Sequence, residues 1–163
     1  EAKNTKPENL TVCILDRPRH KKIITSLKNL NVKLKLISDG DVSGIIYIID
    51  KSSPVDMYMG IGGGPEGVLA AAALKCNGGQ IQTRLVLDDK EAKRAKDMGI
   101  RDLKKKYNID EMIKGDVIFC ATGVTSGDLA RGVKDLGNEF EVNTFTLHRS
   151  QKIIKSVTNI YNK

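Results

Sequence analysis

Tryptophan is absent from these 163 residues, and aromatic side chains make up only 4% of them. Flat platforms for stacking bases are therefore scarce, and nucleic acid would have to be held by backbone electrostatics alone. Nucleic acid is accordingly not expected as a partner. No apolar run approaches the roughly 20 residues that cross a bilayer, and nothing resembles a secretory leader, so no membrane partner is expected either. The three cysteines, Cys13, Cys76 and Cys120, form no C-x-x-C pair. Each sits in an apolar stretch, which reads as a buried, reduced thiol in a cytoplasmic protein. His20 and His148 have no partner at metal-ligand spacing. What the chain does carry is positive charge, +7 at neutral pH, which points to anionic partners such as phosphorylated small molecules.

The most distinctive stretch is Met59-Gly60-Ile61-Gly62-Gly63-Gly64-Pro65-Glu66-Gly67, followed by Val68-Leu69-Ala70-Ala71-Ala72-Ala73-Leu74-Lys75. Alanine and leucine lose little side-chain freedom in a helix, so the second half is strongly helical. The glycines before it leave the backbone bare enough for a ligand to approach. Pro65 marks the helix start, since it has no N–H and its φ is already helical. Glu66 falls in the first turn, where the helix dipole favours a carboxylate. Such a loop exposes N–H donors to an anion, and here a carboxylate stands at its mouth.

Residues 1–9 are polar with a proline and read as a linker or frayed lead-in, with residues 10–163 as one α/β domain. Alternating or apolar runs predict strands over 10–15, 32–37, 55–61, 81–87, 117–121 and 140–148, with 153–160 as an antiparallel edge. Helical spacing predicts helices over 21–30, 65–75, 88–98 (with Gly99 as C-cap), 110–113 and 129–136. Strands alternating with helices argue for an α/β layered domain with a mainly parallel sheet flanked by helices.

Four loops lie at the carboxyl ends of predicted strands, where open α/β sheets bind ligands. Asp16-Arg17-Pro18-Arg19-His20 is either a charged turn or two guanidinium forks beside an imidazole, able to grip a phosphate. Asp39-Gly40-Asp41 is either a plain turn or a pair of carboxylates for sugar hydroxyls or a metal. The glycine loop is the third. Residues 122–128, rich in hydroxyls and glycine, are either a helix cap or a further wall of the crevice.

Gly62-Gly63-Gly64-Pro65-Glu66-Gly67 also satisfies G-x-G-x-x-G, and Asp88 stands about 20 residues on, where a ribose-binding acid would be. A dinucleotide-binding domain is therefore an alternative. Against it, Glu66 would put negative charge where the pyrophosphate must sit. The preferred reading gives Glu66 a divalent cation and the surrounding N–H groups a phosphoryl oxygen.

The stretch from Gly60 to Ala72 closely resembles the signature of class II (GlpX-type) fructose-1,6-bisphosphatases. Asp16-Arg17-Pro18-Arg19-His20 and Asp39-Gly40-Asp41 resemble that family's segments in the same order and at the same separations. The resemblance runs from about Leu10 to the C-terminus. It implies the inositol monophosphatase/fructose-bisphosphatase-like fold and hydrolysis of fructose 1,6-bisphosphate to fructose 6-phosphate and phosphate in gluconeogenesis. It implies Glu66 as a ligand of Mn2+ or Mg2+, and Arg17, Pro18, Arg19, Asp39, Gly40, Asp41 and Gly63 as substrate-binding positions. Members of the family are about twice this length, so the chain is expected to be the C-terminal domain. It would be inactive alone, with catalytic groups and most metal carboxylates supplied by an N-terminal half and the complete enzyme homo-oligomeric. A non-catalytic sugar-phosphate-binding module is the other alternative.

Overall fold

The computed structural model describes residues 3–38, 40 and 42–163. Asp39 and Asp41, two of the expected substrate-binding positions, lie outside the described residues. The expected parallel sheet has three strands in the order β2-β1-β3: β1 (Thr11–Leu15), β2 (Lys33–Ile37) and β3 (Met57–Tyr58). β1 is apolar from Val12 to Leu15 and buried along that length, as a strand covered on both faces must be. Helix α1 (Lys21–Asn29) covers one face, where Leu27 packs with Val12 and Val32. The other face meets a 3-10 turn, Ser43–Ile45, and the short helix α2 (Ile46–Ile49). There Gly44 leaves room for the Tyr58 ring, since a Cβ would lie 2.5 Å from its Cε2.

Helix α3 (Gly64–Cys76) begins where the glycine loop ends, with Gly63 as N-cap, Pro65 in the first turn and Glu66 beside it. Its small face, Ala70, Ala71, Ala73 and Leu74, is buried. Ala70, Ala73 and Leu74 join a core with Ile45, Phe119 and Leu147. Phe119 and Leu147 come from a second, antiparallel sheet made of β6 (Ile118–Thr122), β7 (Lys134–Asp135), β8 (Glu139–His148) and β9 (Ile153–Asn162). β8 pairs with β9 along its whole length, as the alternation over 140–148 and 153–160 predicts. A small antiparallel pair, β4 (Gln82–Arg84) and β5 (Lys106–Asn108), stands apart. Each of its strands is followed in sequence by a capped helix, β4 by α4 (Asp89–Asp97) and β5 by α5 (Ile109–Met112). Near the start, Pro7–Asn9 forms a 3-10 turn and Lys3 pairs with Asp56 at 2.7 Å.

One predicted helix is not there. Residues 129–133 are irregular and Lys134–Asp135 is the strand β7. The Leu129, Val133 and Leu136 spacing looks helical, but tertiary hydrogen bonds hold the backbone otherwise: Arg131 N–H donates to the Asn143 side chain at 3.1 Å, and Gly127 N–H to Ala130 O at 3.1 Å.

The geometry also removes the dinucleotide alternative. Its fingerprint requires a parallel βαβ unit around the glycine loop. Here β3 belongs to the parallel sheet, whereas β4, the next strand after α3, pairs antiparallel with β5 in a different sheet. Asp88, the would-be ribose acid, instead caps α4: its carboxylate accepts from Glu91 N–H at 2.8 Å while Glu91 Oε2 accepts from Asp88 N–H at 3.0 Å.

Candidate substrate and metal site

The loop after β1 and the glycine loop after β3 meet through His20. Its ring is fully buried, with Nδ1 2.8 Å from the Leu15 carbonyl and Nε2 2.9 Å from Ile61 N. The Leu15 carbonyl can only accept, so Nδ1 donates to it, while Nε2 meets both Ile61 N at 2.9 Å and Ile61 O at 3.0 Å. The expectation of an imidazole offered to phosphate is therefore corrected: His20 is an internal bolt between two loops. The His20 ring packs against Gly60, where a Cβ would lie in ordinary contact at 3.4 Å.

Arg19 reaches the same residue from the solvent side, its Nε donating to Ile61 O at 2.6 Å. Pro18 opens the 3-10 turn Pro18–His20 that turns Arg19 and His20 toward the glycine loop, and Arg17 caps that turn. Arg19, Ile61, Gly62, Gly63 and Glu66 line one open pocket of about 380 Å³. Gly63 lets the carboxylate lie over the loop, since a Cβ at that position would meet Glu66 Oε2 and make that side chain swing aside. The structure thus places Arg19, Gly63 and Glu66 around one space. Gly40, with φ +91°, lies in the segment after β2, and a side chain there would be strained.

A divalent ion needs about six oxygen ligands, several of them water. Glu66, anionic and in the first turn of α3, suits one such position. Among the described residues no three His, Cys, Asp or Glu side chains gather to complete a metal shell.

The fourth expected loop lines a hollow of its own, which shares no residue with the pocket of Arg19 and Glu66. Residues 121–125 and 127–130 line this second hollow of about 260 Å³, and its Asp128 accepts the Tyr47 hydroxyl of α2 at 2.5 Å. Behind it Asn143, 4% exposed, donates from Nδ2 to Ser156 Oγ at 3.0 Å and Thr158 Oγ1 at 3.2 Å. Sequence reading missed Asn143 and Tyr47. The signal for Asn143 was available, because it shares the inward parity of Phe145 and Leu147 on an alternating strand.

At the far end of β6, Asp116 gathers Ser150 Oγ–H at 2.7 Å, His148 Nε2 at 2.8 Å and the N–H groups of Val117 and Ser150. His148 uses one nitrogen for both Asp116 and Ser150, so this is no Ser-His-Asp relay. It is a clamp on the β8–β9 turn. The Ser150 hydroxyl first, then His148, holds the Asp116 carboxyl far below the usual carboxylate range. A carboxyl depressed in the folded state stabilises above its unfolded pKa, and that contribution fades as pH falls below it. The gap in melting temperature between the wild type and Asp116→Ala is therefore expected to be full at pH 7 and to narrow steadily below about pH 4. Thermal melts across that range check it, and a gap independent of pH would contradict the assignment.

A parallel α/β sheet whose carboxyl-end loops face an arginine, bare backbone and a helix-terminal carboxylate toward one pocket is a frame for holding an oxyanion beside a cation. The chain belongs to the family described as bacterial fructose-1,6-bisphosphatase, glpX-encoded, whose model matches residues 1–161; its fold is that of the fructose-bisphosphatase-like superfamily. It is similar to the D-fructose 1,6-bisphosphatase class 2/sedoheptulose 1,7-bisphosphatase of Trichodesmium erythraeum (strain IMS101), 36% identical over 168 aligned positions that cover 94% of this chain and 49% of that protein. The protein of the same name from Synechococcus sp. (strain JA-3-3Ab) is 33% identical over 177 positions, 100% of this chain and 51% of that protein. The chain spans about half the length of the curated relatives it matches. Among the described residues no helix is long and apolar enough to cross a membrane.

Proposed function

We propose that this chain supplies the substrate-holding half of a divalent-metal-dependent phosphatase that takes the 1-phosphate from fructose 1,6-bisphosphate, with an N-terminal half supplying the remaining ligands and the catalytic groups. The observation that carries the reading is the pocket in which Arg19, the bare backbone of 61–63 and Glu66 face one another, in a chain of this family. Arg17 and Arg19 grip the phosphate that stays on the sugar, by charge-assisted hydrogen bonds that a fork of N–H donors suits. Asp39, Gly40 and Asp41 accept from sugar hydroxyls, and the close backbone at Gly63 lets the sugar phosphate approach. Glu66 holds Mn2+ or Mg2+ from its side; when bound, such an ion offsets charge on the transferring phosphoryl group and makes a nearby water more acidic. Holding the substrate by its uncleaved end fixes the scissile bond and supplies much of the rate acceleration.

The finer setting follows from the same reading: a homo-oligomeric cytoplasmic enzyme of gluconeogenesis. The three cysteines are free thiols, in keeping with a reducing compartment, though only Cys13 is buried as expected, Cys76 being half-buried and Cys120 exposed. A sugar-phosphate module without catalysis would use Arg19 equally but would not need Glu66.

Calorimetric titration of this chain with fructose 1,6-bisphosphate tests the proposal, with NAD as control. Arg19→Ala is expected to weaken binding at least about tenfold, since a hydrogen bond to a charged group contributes roughly 1.5–3 kcal/mol. No saturable heat, or heat indifferent to Arg19, would overturn the reading.

A further inference from the structure

The segment that follows Gly40 is tied down from far along the chain. Tyr47 donates to Asp128 Oδ2 at 2.5 Å across 81 residues. Lys35 Nζ, from β2, lies 3.7 Å from the Tyr47 ring centroid, so the ring is held at its face as well as its tip. The bond to Asp128 pushes the Tyr47 phenol up to about 12, as expected when the neutral hydroxyl is the donor to a carboxylate.

Both ends of this contact are tied to neighbouring backbone. Asp128 sits on a loop two of whose glycines lie close against backbone: a Cβ at Gly123 would strike the Arg131 carbonyl, and one at Gly132 would lie 2.7 Å from Ser126 N, while Gly127 stands open. Buried Asn143 accepts from Arg131 N–H at 3.1 Å beneath it. At the other end, Gly44 N–H donates to Gly40 O at 2.9 Å and Ile45 N–H to Val42 O at 3.1 Å. Ile45 is buried in the core, and the Tyr58 ring packs on Gly44. Tyr58 also connects this segment to the glycine loop, for a Cβ on Gly60 would lie 3.5 Å from its hydroxyl.

A solvent-exposed hydrogen bond adds little to global stability, yet this one ties the loop after β6 to α2, which follows directly on the segment containing Gly40. We propose that the Tyr47–Asp128 pair is a positioning latch, which fixes the segment containing Gly40 relative to the glycine loop and thereby sets affinity for the sugar bisphosphate. The proposal rests on the substrate reading given above. Neither side chain needs to touch substrate; both act through the backbone of residues 42–47 and its Gly44 N–H bond to the Gly40 carbonyl.

The test combines fructose 1,6-bisphosphate titrations with thermal melts and amide hydrogen exchange on wild type, Tyr47→Phe, Asp128→Ala, Asp128→Asn and the double variant Tyr47→Phe/Asp128→Ala. Tyr47→Phe and Asp128→Ala are each expected to weaken binding about tenfold while melting within about 2 °C of wild type. The double variant should bind no more weakly than either single one, because both remove the same bond. Asp128→Asn keeps an acceptor oxygen and should restore binding to within about threefold of wild type. Exchange of the Gly44 and Ile45 amides should quicken in Tyr47→Phe. Unchanged binding in Tyr47→Phe, or additive losses in the double variant, would overturn the latch and leave the substrate reading intact. Absence of Arg19-dependent binding in the wild type would overturn both.

Discussion

Replacing His20 with leucine is expected to cost the chain about 3 kcal/mol of stability, although the two side chains are similar in bulk. The ring is fully buried and serves two backbone groups, the Leu15 carbonyl and the Ile61 N–H. Leucine leaves both without a partner in a dry place, and each orphaned group costs about 1–3 kcal/mol. For a chain of this size that corresponds to a melting temperature lower by roughly 10 °C. The damage should reach the site too, because Ile61 carries both the His20 bolt and the Arg19 contact. Binding of fructose 1,6-bisphosphate is expected to fall more in His20→Leu than in a core variant of equal stability loss such as Val32→Ala. His20→Gln, which keeps a donor and an acceptor, should recover part of both. A melting temperature within about 2 °C of wild type would show that the bolt does not hold the loops.

In the complete enzyme, Glu66→Gln is expected to lower kcat roughly 10²–10³-fold while changing substrate affinity by less than about threefold. Glutamine has almost the same shape and would still fit over Gly63, but it brings no charge to the N-terminal turn of α3. A cation held by a carboxylate is released more easily by an amide, whereas a phosphate gripped by arginines is indifferent to the exchange. Loss of kcat with KM unchanged is the signature of an interaction that matters in the transition state rather than in the ground state. Steady-state kinetics over a range of Mn2+ concentration would measure it. An unchanged kcat at every metal concentration would remove Glu66 from the metal shell and favour a module that only binds the sugar. Gly63→Ala should shift turnover in the same direction, because the added Cβ displaces the Glu66 carboxylate.

The features most legible in the sequence are those whose cause is local. The apolar run of β1, the 3.6-residue spacing of α1, Pro65 and the alanines of α3, and the alternation of β8 and β9 each announce their structure within a few residues. Gly99, φ +91°, ends its helix where a C-terminal glycine should. The features that could not be read depend on partners far along the chain. His20 looks like a charged-loop imidazole until Ile61 arrives 41 residues later. Asp88 passes for a ribose acid until its own helix recruits it as a cap. The region after Gly127 has a helical pattern, and only Asn143 across the sheet shows why it stays irregular. The division into three sheets is also a tertiary fact: apolar strands separated by helices read alike whether they close one sheet or several. The site divides along the same line. Arg19, Gly63 and Glu66 come together as their motifs suggest, while Tyr47, Tyr58 and Asn143, which arrange the loops around them, carried little or no motif at all.

The hairpin of β8 and β9 has a consequence for the order in which the chain folds. Its ten pairs close over a turn at 149–152, with His148 already facing Ile153. Hairpins of this kind form in about 1–10 μs. The parallel sheet has no such short route: Val12 must find Leu34 across the whole of α1, and then Met57, 45 residues away. Closing those larger loops loses more chain entropy before any contact is gained. The C-terminal ribbon is thus the early scaffold, and the loops that grip an anion are set last. Folding rate should therefore respond to changes in β8 and β9, while changes around Gly60 and Glu66 should act chiefly on the rate of unfolding.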